Sequence, residues 1–152
     1  MALAGPMGAG KSTAGRALAA RFGVPFVDLD REIGDIPAIF ARVGERGFRV
    51  REREVLARVS GGEGVLALGG GTVVDPVNLE QLAGWRVFVL TAPVAVLRER
   101  IGAGEDRPLA SRLEELLAER ADAYAKAGTV IETGGRTLEQ VLDELEARCE
   151  FR

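Results

Sequence analysis

The sequence predicts an α/β protein with a five-stranded parallel sheet flanked by helices, in a single domain over residues 1–152. Short apolar segments alternate with helical patterns along the whole chain, which indicates parallel strands covered on both faces. No linker, repeat or low-complexity tract divides the 152 residues, of which 47% are hydrophobic, so they suffice for one core. A glycine-rich loop follows the first apolar segment, at the position where such sheets bind ligands.

Five segments are short and apolar enough to be buried strands. They are residues 1–4, 25–28, 65–68, 87–90 and 129–132. The first helix is expected from residue 14 to residue 22, because apolar side chains recur there at helical spacing before Gly23.

Two later helices have recognisable beginnings. Ser111 with Glu114, and Thr137 with Gln140, match the capping-box pattern Ser/Thr-x-x-Glu/Gln. The last helix is expected to carry its apolar side chains on one face. Its members are Leu138, Val141, Leu142 and Leu145.

Residues 5–13, GPMGAGKST, fit the phosphate-loop pattern G-x-x-x-x-G-K-S/T. Gly5, Gly8 and Gly10 allow positive φ angles and a close approach of backbone N–H groups to a polyphosphate. Lys11 supplies a positive charge for the β- and γ-phosphates, and the Ser12 hydroxyl is a suitable Mg²⁺ ligand. The alternative, a glycine-rich turn before a helix, gives no reason for the Gly-Lys-Ser ending.

Charge and composition exclude several classes of protein. The net charge of −3 argues against a general nucleic-acid binder, which needs a basic face. No apolar run is long enough to span a membrane, and the chain enters the phosphate loop too soon for a signal peptide, so we expect a cytoplasmic monomer. The single cysteine, Cys149, is expected to be inert. Because histidine is absent, any general base must be a carboxylate.

Asp28 and Asp30 end the second predicted strand and should face the phosphates, since the carboxyl ends of parallel strands line the ligand crevice. Strand alternation predicts that both side chains lie on the same side of an extended backbone. The alternative for Asp30 is a cap on a helix that begins at Arg31.

Three further segments carry charge or glycine. Residues 44–54 are mostly expected to form a solvated helix face with pairs such as Glu45 with Arg49. Residues 102–110 are expected to form a mobile loop. The cations within this loop and on either side of it suit a phosphoryl-transfer lid, although each cation taken singly is typical of a surface residue. These cations are Arg100, Arg107 and Arg120. The triple glycine after the third strand predicts bare backbone against a ligand. It consists of Gly69, Gly70 and Gly71.

Together these motifs resemble the shikimate kinases, a family of small P-loop kinases, over nearly the whole chain. The resemblance is carried by residues 5–13, Asp28-x-Asp30, Ile39-Phe40, Gly44-Glu45-x-x-Phe48-Arg49-x-x-Glu52, residues 68–71, Arg107-Pro108-Leu109, and Arg120 before Tyr124. Two segments, residues 30–40 and 102–120, are shorter than that family leads us to expect.

The resemblance implies a P-loop kinase fold with a mobile lid and substrate-binding helices, and an enzyme that phosphorylates the 3-hydroxyl group of shikimate. It implies that ATP is the co-substrate, held by Gly8, Ala9, Gly10, Lys11, Ser12, Thr13, Arg100 and Arg107, with Mg²⁺ held by Ser12 and Asp28. It implies a shikimate site made of Asp30, Arg49, Gly69, Gly70, Gly71 and Arg120. Lys11, Asp30 and Arg107 would be catalytic, and the sequence leaves open whether Asp30 takes the proton or only orients the hydroxyl.

Two other interpretations remain. One is another small-molecule P-loop kinase, such as a gluconate or adenylate kinase, although adenylate kinases usually carry Gly-Lys-Gly-Thr where this chain has Gly10-Lys11-Ser12-Thr13. A catalytically silent nucleotide-binding regulator is the other interpretation. Such a regulator need not keep the full set of Lys11, Ser12, Asp28, Asp30 and Arg107.

Overall fold

A parallel sheet of five short strands forms the centre of the structure, a computed structural model that describes residues 1–102 and 112–149. The strands are β1 (Ala2–Ala4), β2 (Phe26–Asp28), β3 (Val65–Ala67), β4 (Val87–Thr91) and β5 (Thr129–Glu132). Their spatial order is β2-β3-β1-β4-β5, and every neighbouring pair is parallel. The predicted strands and their parallel arrangement are confirmed, with ends that differ by at most one residue.

Helices connect these strands. They are α1 (Lys11–Phe22), α2 (Leu29–Ile33), α3 (Ile36–Val59), α4 (Pro76–Gln81), α5 (Val94–Ile101), α6 (Leu113–Ala127) and α7 (Leu138–Arg148). A 3₁₀ turn, Thr72–Val74, follows the glycine triplet after β3. Buried side chains of α1, α5 and α7 pack in one layer and those of α2 and α3 in the other, while α6 contributes to both.

The two core layers follow from strand geometry. Successive side chains of a strand point to opposite faces of the sheet. Leu3 of β1 therefore packs in the same layer as Phe88, whereas Ala2 and Ala4 lie in the other layer with Leu66. Because both faces of the sheet are covered by apolar layers, the strand sequences are nearly continuous apolar runs, which is typical of buried parallel strands.

Helix α3 bends at Gly44, whose φ of 67° and ψ of −174° interrupt the helical backbone. After the bend, Phe48, Glu52, Val55 and Leu56 face the core. The prediction of a solvated face for residues 44–54 is therefore wrong for Glu52, which is only 1% exposed. The spacing of these four residues places Glu52 on the core side of the helix.

Helix α7 begins as predicted and packs differently at one position. Thr137 Oγ1 accepts from the Gln140 N–H at 3.2 Å and Gln140 Oε1 accepts from the Thr137 N–H at 2.9 Å, which confirms this capping box. Val141, Leu142 and Leu145 are buried as predicted, whereas Leu138 is 43% exposed. Leu138 instead lines a cavity described below, which Val141 of the same apolar face also lines.

Two further expectations concern the chain as a whole. None of the described helices is long and apolar enough to cross a bilayer. Cys149 directly follows α7 and is partly buried, and this burial raises the pKa of its thiol. A raised pKa disfavours the reactive thiolate.

Candidate active site

The phosphate loop lies at the carboxyl end of β1, the central strand, between β3 and β4. The strand order reverses there, which is where open α/β sheets bind ligands. Gly5, Gly8 and Gly10 have φ angles of 129°, 79° and 92°. A Cβ on Gly5 would lie 2.1 Å from the Leu90 carbonyl oxygen, so this position requires glycine for both its conformation and its space.

Helix α1 begins directly after this loop, and its first turn is open to a ligand. Gly10 is the N-cap residue, and no side chain of the described residues caps the helix. The first backbone N–H groups of a helix have no partner within it, and they carry the positive end of the helix dipole. Together they provide an anion site directed at the loop.

Lys11 folds back over the loop. Its Nζ donates to the carbonyl oxygens of Gly5 at 2.8 Å and Pro6 at 2.9 Å. Burial lowers the pKa of Lys11 to about 8, against the opposing effect of the nearby Asp30 and Asp28 carboxylates. The Lys11 ammonium is thus bound only by neutral carbonyl groups. It can exchange these carbonyls for phosphate oxygens, which carry negative charge.

Asp28 and Asp30 reach the loop in a different way from that predicted. Strand β2 ends at Asp28, whose Oδ1 accepts from the Arg31 N–H at 3.4 Å and caps α2, and Asp30 lies in the first turn of that helix. The expected extended alternation is therefore wrong, and so is the alternative that Asp30 caps a helix starting at Arg31. Ser12 Oγ donates to Asp28 Oδ2 at 2.6 Å, which brings the two predicted metal ligands together.

Two cavities meet beside the loop. The large cavity, of about 1080 Å³, is lined by residues of the phosphate loop and by side chains from α5 and the β5–α7 region. The small cavity, of about 150 Å³, lies between α3, α6 and the glycine triplet. Lys11 and Asp30 line both cavities. Any group transferred from one cavity to the other would pass these two side chains.

Asp30 stands at this junction, where it is exposed to the cavity space but crowded by protein atoms. This crowding raises the pKa of its carboxyl, as do the neighbouring Asp28 and Glu52 carboxylates, while Lys11 and Arg49 act in the opposite direction. A carboxyl in such a position can hold a hydroxyl group that enters from the small cavity.

Opposite charges line the inner wall of the small cavity. Arg49 Nη1 donates to Glu52 Oε2 at 2.8 Å, and its guanidinium carbon lies 5.1 Å from the centre of the Phe48 ring. Its other edge approaches Glu45 at 3.7 Å, which confirms that predicted pair. Arg120 reaches the same cavity from α6. The two arginines make this wall suitable for a carboxylate.

The glycine triplet closes the cavity, and its backbone lies close to the ends of charged side chains. A Cβ on Gly69 would lie 2.9 Å from Asp30 Oδ1, one on Gly70 would lie 3.0 Å from Arg120 Nη1, and one on Gly71 would lie 2.6 Å from Arg49 Nη2. The triplet thus brings bare backbone against the same side chains that line the cavity. Tyr124 of α6 adds a hydrogen bond, from its hydroxyl to the Gly70 carbonyl oxygen at 2.6 Å.

Arg100 lies at the wall of the large cavity. Its guanidinium donates to Thr133 Oγ1 at 2.8 Å, to the Thr133 carbonyl at 2.9 Å and to the Gly8 carbonyl at 3.4 Å. These bonds connect the phosphate loop to the end of β5. Arg107 and residues 103–111, which include most of the predicted lid and Ser111, lie outside the described residues.

Several lining residues were missed by the sequence reasoning. In the small cavity they are Phe40, Phe48, Glu52 and Tyr124, and in the large cavity Thr133, Arg136, Leu138 and Val141. A signal existed for Glu52, because a glutamate at core-facing spacing within an apolar helix face demands buried partners. The large-cavity residues carry no such signal, since they lie on both sides of an ordinary turn at Gly134-Gly135.

The family model described as shikimate kinase matches residues 7–150. A curated shikimate kinase from Halorhodospira halophila is 44% identical over 88% of this chain and 84% of the relative. A curated shikimate kinase from Pseudomonas syringae pv. tomato is also 44% identical, over 96% of this chain and 93% of the relative. The second alignment spans 160 positions, more than the 152 residues of this chain, so this chain is shorter in places.

Solved structures give the same picture. The shikimate kinase from Acinetobacter baumannii in complex with shikimate has a TM-score of 0.89 at 34% identity, over 99% of this chain and 94% of that one. The shikimate kinase from Aquifex aeolicus has a TM-score of 0.82 at 31% identity, over 97% and 95%. A gluconokinase from Sinorhizobium meliloti has a TM-score of 0.69 at 18% identity, over 96% of this chain and 88% of that one, and shares the fold alone.

Proposed function

This chain belongs to the shikimate kinase family and phosphorylates an alcohol group of shikimate with ATP, and we propose that the two cavities divide this reaction between them. The large cavity holds ATP and the small one holds shikimate, with its 3-hydroxyl group directed to the junction. The observation that carries this proposal is that Lys11 and Asp30 line both cavities. Catalysis of phosphoryl transfer depends mainly on such positioning and on charge stabilisation.

On the nucleotide side, we assign the phosphates to the backbone of residues 8–13 and the first turn of α1. Lys11 exchanges its two carbonyl partners for phosphate oxygens. The base lies deeper in the large cavity, against the exposed Leu138 and the neighbouring Val141. Arg100 holds the rim of this cavity through Thr133 and Gly8.

The residues at the loop fit a magnesium ion. Mg²⁺ prefers oxygen ligands and is usually bound through one or two protein groups, with phosphate oxygens and water as the others. The Ser12 hydroxyl and the Asp28 carboxylate are adjacent, 2.6 Å apart, beside the phosphate loop. No group of three or more His, Cys, Asp or Glu side chains that could hold a metal ion occurs in the described ranges. A bound Mg²⁺ would neutralise phosphate charge during transfer.

On the acceptor side, we assign the shikimate carboxylate to Arg49 and Arg120 and its ring hydroxyls to Asp30 and the glycine triplet. Arg49 Nη1 donates to Glu52 and Nη2 lies 3.7 Å from Glu45, beyond hydrogen-bond distance, so Nη2 and Nε are able to present two parallel N–H bonds to the carboxylate. Asp30 accepts a hydrogen bond from the reacting hydroxyl and orients its oxygen toward the phosphates. Arg107 is proposed to meet the transferring phosphoryl group from the segment outside the described residues.

An ADP-release assay tests this assignment of activity. We expect turnover with ATP and shikimate, and none above background with gluconate or AMP in its place. Turnover with gluconate or AMP but not with shikimate would contradict the proposal in favour of another small-molecule kinase. ATP binding without turnover on any acceptor would favour a silent regulator.

We further propose that the chain works as one domain and one monomer in the cytoplasm, without nucleic-acid or membrane partners. In support, the net charge of −3 argues against a general nucleic-acid binder, which needs a basic face.

Arg49→Lys is expected to raise the shikimate KM about tenfold to a hundredfold while leaving the ATP KM unchanged. Lysine keeps the positive charge but loses the planar pair of N–H donors. Loss of one charge-assisted hydrogen bond costs about 1.5–3 kcal/mol, which corresponds to that change in affinity. Initial rates at saturating ATP give the shikimate KM.

The matched control is Arg46→Lys, an exposed arginine on the same helix, which should leave both KM values unchanged. Equal shikimate KM values for the wild type and Arg49→Lys would remove Arg49 from the proposed carboxylate site.

Tyr124→Phe is expected to raise the shikimate KM about twofold to tenfold, with little change in the ATP KM. The hydroxyl of Tyr124 holds the Gly70 carbonyl at 2.6 Å, and burial raises the pKa of Tyr124, so the hydroxyl stays a donor at neutral and mildly alkaline pH. A neutral hydrogen bond contributes about 0.5–1.5 kcal/mol. Its loss loosens the glycine triplet at the small cavity.

Trp85→Phe provides the comparison, because Trp85 Nε1 donates to the Ser60 carbonyl at 2.9 Å and lines neither cavity. This variant should lose stability without a change in KM. A Tyr124→Phe enzyme that behaves in the same way would reduce Tyr124 to a purely stabilising role.

A further inference from the structure

Glu52 is a buried carboxylate with two different partners. Its side chain is 1% exposed, Oε2 accepts from Arg49 Nη1 at 2.8 Å, and Oε1 accepts from Thr72 Oγ1 at 2.8 Å. A carboxylate only accepts hydrogen bonds, so the Thr72 hydroxyl must donate to it. The two bonds fix both oxygens of Glu52, and therefore the plane of its carboxylate.

Thr72 is itself held rigidly. Its side chain is 0% exposed, its backbone N–H donates to the Gly69 carbonyl at 3.3 Å, and its carbonyl accepts from Asn78 Nδ2 at 2.9 Å. Asn78 is also 0% exposed and lies in α4, whose first turn Asp75 caps. The hydroxyl of Thr72 thus extends from a turn that both the glycine triplet and α4 hold in place.

Thr72 lies directly behind the small cavity without lining it. A Cβ on Gly69 would lie 3.0 Å from Thr72 Oγ1, 3.2 Å from Glu52 Oε1 and 2.9 Å from Asp30 Oδ1, so these oxygens surround one point of the glycine triplet. Glu52 and Asp30 line the cavity, whereas Thr72 is absent from its wall. Any effect of Thr72 on a bound acceptor must therefore pass through another residue.

We propose that Thr72 is a positioning residue for the acceptor: its hydroxyl fixes Glu52, and Glu52 fixes the Arg49 guanidinium that receives the shikimate carboxylate. This inference rests on the proposed function, in which Arg49 binds that carboxylate. Arg49 has a flexible side chain, and a partner on Nη1 holds it in one orientation before the acceptor arrives. Without the Thr72 bond, Glu52 can rotate and Arg49 follows it.

Thr72→Val removes the hydroxyl at nearly constant volume and tests the proposal. We expect the shikimate KM to rise about threefold to thirtyfold, because the lost hydrogen bond to a charged group acts on the acceptor indirectly and only part of its value is lost there. The ATP KM should stay unchanged, and Thr72→Ser, which restores the hydroxyl, should recover most of the wild-type shikimate KM. KM does not depend on the fraction of enzyme that is folded, so a purely structural role would not produce this split.

A double-mutant cycle with Glu52→Gln shows whether Thr72 acts through Glu52. Thr72→Val should raise the shikimate KM in the wild type but add less than about twofold in the Glu52→Gln background. An equal rise in both backgrounds would overturn the proposal, and so would an unchanged shikimate KM in Thr72→Val. If Thr72→Val does not fold, Thr72→Ala, which also removes the hydroxyl, replaces it in both backgrounds.

The Arg49→Lys variant separates failure of this inference from failure of the proposed function. A silent Arg49→Lys would contradict the carboxylate site itself. A raised shikimate KM in Arg49→Lys together with an unchanged one in Thr72→Val would leave the site in place and reject only the role of Thr72.

Discussion

Lys11→Ala is expected to lower kcat with ATP and shikimate by at least about 10³-fold while the fold remains intact. Lys11 lines both cavities at the phosphate loop, so its charge lies where negative charge moves during transfer. Removal of a single preorganised donor to such charge costs about 10²–10³-fold, and Lys11 supplies a full charge in addition to its N–H donors. Steady-state kinetics with an ADP-release assay measure the loss.

The fold should tolerate this change. Burial lowers the pKa of Lys11, so the folded protein holds the charged form less readily than the unfolded chain does. Removing the ammonium therefore removes no stabilising charge, and thermal unfolding should remain cooperative with a similar midpoint.

Lys126→Ala is the matched control, because Lys126 is the only other lysine in the sequence and lies exposed in the last turn of α6. It should retain wild-type kcat and both KM values. Near-normal turnover of Lys11→Ala would place the loop elsewhere than at the phosphates.

The fold was largely predictable because its signals are local. Each strand is a short apolar run, and the Thr137–Gln140 capping box and the phosphate loop depend on residues a few positions apart. The parallel direction of the strands followed from the alternation of strands and helices, because a helix that connects two parallel strands must cross over the sheet. The sequence did not show how the chain leaves β2: a helix starts at Leu29, so the spacing of Asp28 and Asp30 is helical and not extended.

The site was predictable only in part. Residues of the sequence motifs line the cavities, but the sequence did not indicate which residues pack behind these lining residues. Glu52 looked like one charge in a charged run, and its bond to Thr72 joins residues that are 20 positions apart. Leu138 shares the apolar face of its helix with core residues, and helical periodicity does not show that it lines a cavity. Such long-range partners depend on tertiary packing, which neither motifs nor periodicity contain.

The remaining large effect is expected at Asp30. Asp30→Asn should lower kcat by about 10²–10⁴-fold, the range for a general base or an equivalent orienting carboxylate. An asparagine fills the same space, but its amide group cannot take a proton, and it places no negative charge beside the reacting hydroxyl. Asp30 lines both cavities. The pKa of its carboxyl is raised mainly by the surrounding protein atoms, as is typical of a catalytic carboxyl that is shielded from bulk water.

The affinity for ATP should change little in Asp30→Asn, because the Ser12–Asp28 pair at the phosphate loop is untouched. Asp35→Asn is the matched control: Asp35 lines neither cavity and caps α3 through the Ala38 N–H at 3.1 Å, a role that asparagine also fills. It should leave kcat and both KM values unchanged. If Asp30→Asn instead weakened ATP binding and left the shikimate KM and turnover unchanged, Asp30 would belong to the metal and phosphates, and the acceptor hydroxyl would have to be held by another group.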